Sequence, residues 1–317
     1  MHLVETMAYT GQGNGHGLGN QLAPQQPIEV WKKQAGMDWK IKEAEVHYVA
    51  GNHNLGVIHA FPEQKVLYRS DNRTPLSVVS KRFQVVQPGQ ILEFYRDLTA
   101  SSGFELETAG VLREGRKFWA LARTGQSTTL KGRDKVDGYL LLATACDETL
   151  AATAQFTSVR VVCNTLSIVL GNATGTIKVP HRSRFDPHVI KRQLGITVSS
   201  WDGFVARMKA LVDRPVDPDS VEGLLRRVLT YTGPDGKATV VNEQALANVR
   251  TLYEGGGRGA LMASSRGTAW GLLNSVTEFV DHHRRARSDD HRRDAAWFGS
   301  GTQIKQRAWD EVMRLVT

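Results

Sequence analysis

Arg160 is the side chain whose surroundings most demand a chemical explanation. It stands in Thr157-Ser158-Val159-Arg160-Val161-Val162-Cys163-Asn164-Thr165-Leu166, inside a strongly apolar strand-like segment. A charge there must be paired or must face a ligand. Two readings stay open. One is a buried ion pair with an acid such as Asp147. The other is a phosphate contact at a sheet surface, where parallel guanidinium N–H groups match two oxygens. Lys117 and Arg123 lie six residues apart in another strand-like run and so share a face, with Arg116 on the opposite one. Lys131 and Arg133 follow in the polar stretch 123–137, which reads as a mobile surface loop. These five cations, Lys117, Arg123, Lys131, Arg133 and Arg160, are the candidate nucleic-acid contacts. Rings stand beside several of them, in Arg82-Phe83 and Arg116-Lys117-Phe118-Trp119. Cations next to exposed rings suit single strands, where each stacked base adds about 1–3 kcal/mol. If Phe118 and Trp119 are core instead, the charges form only a solvated face.

Other chemistry finds less support. Asp281, His282, His283 and His291 invite a metal, but adjacent histidines on a helix diverge by about 100°. The chain has no His-Glu-x-x-His and no paired-cysteine motif, so no metal or cofactor is expected. No Gly-x-Ser-x-Gly elbow occurs, and Asp71, Glu105 and Glu107 do not by spacing alone make a nuclease site. Gly11, Gly13, Gly15, Gly17 and Gly19 lack the strand before and the helix after that a phosphate loop needs. Arg284, Arg285, Arg287, Arg292 and Arg293 form a basic run, read either as a solvated helix end or as a phosphate contact.

The elements that must position these groups are mixed. Residues 1–27 read as a Gly-rich arm able to reach a neighbouring subunit, and Pro27–Gly36 as a short helix. Asp38–Ala50, Gly56–Phe61, Lys65–Ser70, Leu76–Ser80 and Phe83–Gln87 alternate like strands. Gln90–Ser101 repeats apolar residues at helical spacing, and Phe104–Leu112, Lys117–Arg123, Tyr139–Cys146 and Ala152–Val162 return to strand. Cys163–Leu170 is expected to start a helix. The fold class is therefore α+β: a curved antiparallel sheet with helices on one face, the other face free to hold something. From about 176 onward helices dominate: Pro187–Leu194, Ser199–Val212, Asp219–Thr230, Glu243–Tyr253, Thr268–His283 and Gln303–Val316. The division expected is an arm over 1–27, a sheet core over 28–175 and a helical region over 176–317.

The chain has 317 residues, 40 Lys+Arg against 32 Asp+Glu, and a formal charge of +8. That balance favours an acidic partner. The excess is concentrated between Lys65 and Lys135, where 13 basic residues face 7 acidic ones. Two cysteines in apolar contexts point to buried thiols in a reducing compartment. With neither a membrane-length apolar run nor a signal-like start, a cytoplasmic protein is expected.

Several runs together resemble the phage/plasmid-like protein family built on a domain of unknown function. They include Tyr68-Arg69-Ser70-Asp71, Phe118-Trp119-Ala120-Leu121-Ala122-Arg123 and Val159-Arg160-Val161-Val162-Cys163-Asn164-Thr165-Leu166. Gly267-Thr268-Ala269-Trp270-Gly271-Leu272-Leu273-Asn274, Thr277-Glu278-Phe279-Val280-Asp281-His282 and Lys305-Gln306-Arg307-Ala308 continue the pattern. Asn14 and Gly15 stand where the family pattern has Pro-Trp. The resemblance implies a phage or mobile-element setting. The strand–helix–strand order from Lys65 to Leu170 also looks like the core of single-strand annealing recombinases of the RecT/Erf type. That likeness implies a basic groove, ring or filament assembly, and single-stranded DNA annealing without catalysis. An enzyme acting on nucleic acid or nucleotide, and a structural or host-interaction protein, are the alternatives.

Overall fold

The structure, a computed structural model, describes residues 4–11, 19–51, 56–101, 103–160, 165–167, 176–183, 185–198, 201–232 and 239–317. Strands β1 (Val4–Thr10) and β2 (Asn20–Leu22) and helix α1 (Ile28–Gln34) open the chain. The stretch read as an arm thus begins as a sheet strand; Gly13, Gly15 and Gly17 lie outside the described residues. Strands β3 (Ile41–Ala50), β4 (Val57–Arg69) and β5 (Pro75–Ser80) make a three-stranded antiparallel sheet in that order. β4 is continuous where the sequence suggested two strands. Its break survives as a register shift: Glu45 faces Lys65, but Val46 faces Phe61. Residues 62–64 therefore bulge, with Pro62 among them. Phe83–Gln87, expected as a strand, is irregular. Phe83 is buried and Gln84 N–H donates to His181 O, so side-chain burial gave a strand-like pattern without a ladder.

Helix α2 (Pro88–Ser101) leads to β6 (Glu105–Leu112), β7 (Lys117–Leu130), β8 (Asp134–Ala145), β9 (Ala152–Arg160), β10 (Thr165–Ser167) and β11 (Thr176–Val179). With β1 and β2 they form a sheet of order β10-β9-β8-β7-β6-β1-β2, with β11 paired to β9. The β1–β6, β6–β7 and β9–β10 pairs are antiparallel. Two expectations change here. The polar stretch 123–137 is a hairpin rather than a mobile loop: β7 and β8 run to its tip, and Lys131 and Gly132 both take positive φ, 36° and 89°. The three-residue connection 131–133 thus turns through left-handed backbone, as short hairpin connections do. The described part of Cys163–Leu170 is strand β10, not helix; Cys163 and Asn164 lie outside the described residues.

Helices α3 (Pro187–Val198), α4 (Trp201–Asp213) and α5 (Pro218–Val228) follow, then strands β12 (Thr230–Thr232) and β13 (Thr239–Val241). Helices α6 (Glu243–Thr251), α7 (Ala269–Glu278), α8 (Asp289–Phe298) and α9 (Ser300–Met313) complete the chain. The α5 cap is Asp217, one residue before the helix, whose carboxylate accepts from Ser220 N–H at 2.9 Å. α8 was not foreseen: its Arg and Asp content hid a helix capped by Ser288. All ten residues of α7 are buried, as in a helix enclosed on every side. A side chain at Gly271 would meet Ser265 O at 1.9 Å, so only glycine lets the preceding loop pack so close.

The chain divides into two compact units. The first comprises Met1–Thr124, Leu140–Gln155 and Ile177–Gln193, and the second Gly125–Tyr139, Phe156–Thr176 and Leu194–Thr317. In the first, the Tyr95 hydroxyl of α2 lies 3.0 Å from Ala120 O and 2.9 Å from Leu140 O, its one proton shared between them, and Phe118 meets Trp39 edge-on. Phe118 and Trp119 point to opposite faces of β7, yet each is only 1% exposed. Along β8 every residue except Lys135 is buried. Both faces of β8 and of the inner half of β7 are thus covered; the open face anticipated from the sequence is confined to the outer half of β7, where Arg123, Gly125, Ser127 and Thr129 are exposed. The core of the second unit gathers Leu130, Val136 and Phe156 with side chains from α4 to α9, including Phe204, Leu225, Trp270 and Trp309. No described helix is long and apolar enough to cross a membrane.

Candidate nucleic-acid interface

Lys117 and Arg123 lie in the first unit, at opposite ends of the buried half of β7. Lys117 is 4% exposed, which takes it out of reach of a phosphate backbone. Arg123 is exposed, and its Nη2 donates to Glu107 at 2.8 Å, beside the register shift between β6 and β7. It borders a cleft of about 670 Å³ lined also by Trp31, Arg96, Phe104 and Glu107. Arg96 is held by Glu93, through bonds of 2.6 and 2.9 Å, and by Glu29. The hydrogen bond from Arg96 holds the Glu93 carboxyl down at about 2. Each guanidinium of this cleft therefore already faces carboxylate, which does not favour a phosphate. The same holds for Arg69, which lies 4.3 Å over the Trp39 ring and binds Asp71 through two bonds of 3.0 and 2.7 Å.

The second unit holds Lys131, Arg133 and Arg160. Arg160 ends β9 and is 1% exposed. Its Nε and Nη2 donate to the two oxygens of Asp134, at 2.6 and 2.7 Å. Asp134 Oδ2 also accepts from Ser264 Oγ at 2.6 Å and Trp270 Nε1 at 3.0 Å, while Arg160 Nη2 reaches Ser265 Oγ at 2.7 Å. This is the buried-pair alternative of the sequence reading, with Asp134 rather than Asp147 as the partner. The polar stretch around Asp134 reads as loop, which hides this acid from sequence reasoning. The signal that marks it is the alternation Leu130, Asp134, Val136 on either side of a Lys-Gly turn, less familiar than Asn-Gly.

At the tip of the β7–β8 hairpin the charges point outward. Lys131 reaches Asp213 at 3.1 Å and Val212 O at 3.3 Å, near the C-terminus of α4, where a cation suits the helix dipole. Lys135 reaches Asp137 at 3.0 Å. Arg133 is exposed and has no carboxylate partner among the described residues. The acid within the tip, Asp134, is neutralised inward by Arg160.

A second group of cations follows the π-helical turn Phe279–His283. Arg284 donates to Ser300 Oγ, and Arg292 pairs with Asp289. Arg285 and Arg287 are exposed and have no carboxylate partner among the described residues. Beneath them Lys305, fully buried, pairs with Asp281, and Glu278 accepts the Arg258 N–H at 2.9 and 3.1 Å. Among the described residues no three His, Cys, Asp or Glu side chains gather as a metal site.

A family model described as Domain of unknown function (DUF932) matches residues 75–297, well over half of the chain. The chain belongs to that family. The DUF932 match takes in all five predicted cations, the Asp134–Arg160–Trp270 network and the basic run, and leaves out the β3–β4 pair and Lys305. Neither the curated proteins nor the solved structures gave a match.

Proposed function

We propose that this DUF932 protein binds single-stranded DNA and promotes annealing of complementary strands, as an oligomer and without catalysis. The observation that carries the reading is the hairpin tip of the second unit. Lys131, Arg133 and Lys135 are exposed within five residues; Arg133 has no carboxylate partner among the described residues, Lys131 and Lys135 hold Asp213 and Asp137 in pairs whose lysine side remains exposed, and Asp134 between them is held inward by Arg160. Such a cluster attracts a phosphate backbone without reading its sequence. Arg285 and Arg287 offer further exposed charge on the same unit. Stacking of bases on Phe118 or Trp119 is not part of the reading, since both rings are buried. Burial likewise removes Lys117 and Arg160 from the contact set, and the Glu107 bond makes Arg123 secondary. A phage or mobile-element setting and a core like that of the RecT/Erf recombinases belong to this reading as well. They rest on the sequence resemblance.

The test is fluorescence anisotropy with a labelled single-stranded oligonucleotide, followed by an annealing assay free of metal and ATP. Binding that weakens at least tenfold in K131E/R133E supports the interface. Strands that anneal no faster with protein than without it sink the annealing claim.

A further inference from the structure

We propose that the outer half of the β3–β4 ribbon is a self-association arm whose occupant is a second copy of this chain. Beyond the bulge at residues 62–64, Val46 pairs Phe61, His47 pairs Ala60, Tyr48 pairs His59, Val49 pairs Ile58 and Ala50 pairs Val57. Side chains alternate, so Val46, Tyr48, Val57 and Phe61 occupy one face and Val49 and Ile58 the other. Both faces are open: Tyr48 is 51% exposed, Val49 68%, Val57 63%, Ile58 68% and Phe61 42%. Both edges are open too. β3 is the outer strand of its sheet, and β5 pairs only residues 64–68 of β4.

A two-stranded ribbon in water is marginal by itself. Native proteins blunt an open edge with charge, yet residues 46–50 and 57–61 contain no Lys, Arg, Asp or Glu. A largely apolar ribbon with free backbone groups, its titratable side chains limited to His47, Tyr48 and His59, is built to be covered. The absence of cations argues against nucleic acid as its cover. A bilayer supplies apolar contact but no partner for unpaired N–H and C=O groups. Another β edge supplies both, and a second copy brings an identical one, which pairs antiparallel about a two-fold axis. The five exposed side chains offer on the order of 500 Å², against the roughly 800 Å² per partner of a standard interface. Edge pairing adds buried backbone, and the second copy's ribbon must also lie across a face to cover these side chains, which are divided between the two faces. The arm gives a surface to the oligomer proposed above and rests on that part of the reading alone.

The experiment is sedimentation velocity of the full chain, without DNA, across a wide concentration range. The wild-type chain is expected to sediment as a dimer or larger species. V49K/I58E exchanges one cross-strand apolar pair for an ion pair that keeps the ribbon paired. It is expected to raise the dissociation constant at least tenfold with an unchanged circular dichroism spectrum. If the variant does not fold, hydrogen exchange on the wild type decides: amides of residues 46–50 gain protection at high concentration only if the edge is covered by another copy. A wild-type chain that stays monomeric overturns the arm, whether or not it then floats with phosphatidylcholine vesicles. So does an oligomer that V49K/I58E leaves intact. Because no DNA is present, failure here leaves DNA binding standing, and a chain that self-associates but ignores DNA leaves the arm standing.

Discussion

Arg160→Ala removes one half of a pair that is 1% and 0% exposed and leaves Asp134 a buried charge facing one hydroxyl donor, Ser264, and one indole donor, Trp270. Such a break costs about 3–5 kcal/mol, and urea denaturation should show it. A loss below about 1 kcal/mol would mean that water enters the network. Replacing both partners, as in D134L/R160M, should recover part of the loss, because no buried charge then remains. Glu93 gives a pH test. Its carboxyl is held at about 2, below the ordinary 4.5, first by the Arg96 hydrogen bond and then by Lys32. A lowered folded-state pKa favours the folded chain above the unfolded value and loses that contribution as pH falls through the folded one. Stability should therefore decline between about pH 4.5 and 2, and E93Q should flatten that limb in thermal melts. The size is modest, since Glu93 is 40% exposed. Cys146 should resist alkylation in the native chain, mapped by peptide mass, because burial pushes its thiol up to about 12. At this scale the sequence exposed the question at Arg160 but not its answer. A charge inside an apolar strand is visible in one dimension, whereas its partner lies 26 residues away across a hairpin.

Among the elements, those with strong periodicity were legible: α2, β6, α5, α6 and α7 fall close to where their apolar spacing puts them. The failures have separate physical causes. β1 was lost because a single strand in a Gly-rich neighbourhood earns its structure from pairing with β6, a tertiary effect. α8 was lost because its charged residues outnumber its apolar ones. β7 and β8 were cut short because their outer ends carry Thr, Gln and Lys, which suit a solvated ribbon as well as a loop. β1 allows a direct check. Removal of residues 1–10 strips a strand from the sheet and bares the edge of β6, so the truncated chain should melt lower and aggregate. If these residues behave as a loose arm instead, the truncation will leave the melting temperature unchanged, and their amides will exchange as fast as an unfolded peptide.

For the molecule as a whole, the fold class was legible because alternating and helical periods follow one another along the chain. The location of an interface was not, because burial decides which cations are available, and burial is a property of the packed chain. The formal charge of +8 says only that an acidic partner is favoured. What distinguishes the hairpin tip is that Arg133 is exposed with no carboxylate partner among the described residues, while Asp134 beside it is satisfied from within. That arrangement makes a quantitative demand on binding. Each phosphate neutralised on a single strand releases condensed counterions, so log affinity must fall with log salt by about 0.7 per contact. If Lys131, Arg133 and Lys135 each meet one phosphate, they alone supply a slope near −2. Arg285 and Arg287 add up to about −1.4 if they join the same track. K131E/R133E should then flatten the measured slope by about 1.4, with a small drop in melting temperature because charge reversal at Lys131 sets a carboxylate against Asp213 at the C-terminus of α4. A wild-type affinity that barely moves between low and physiological salt is incompatible with a phosphate-led interface. A variant that weakens binding without changing the slope would place the loss elsewhere than in phosphate contacts at this tip.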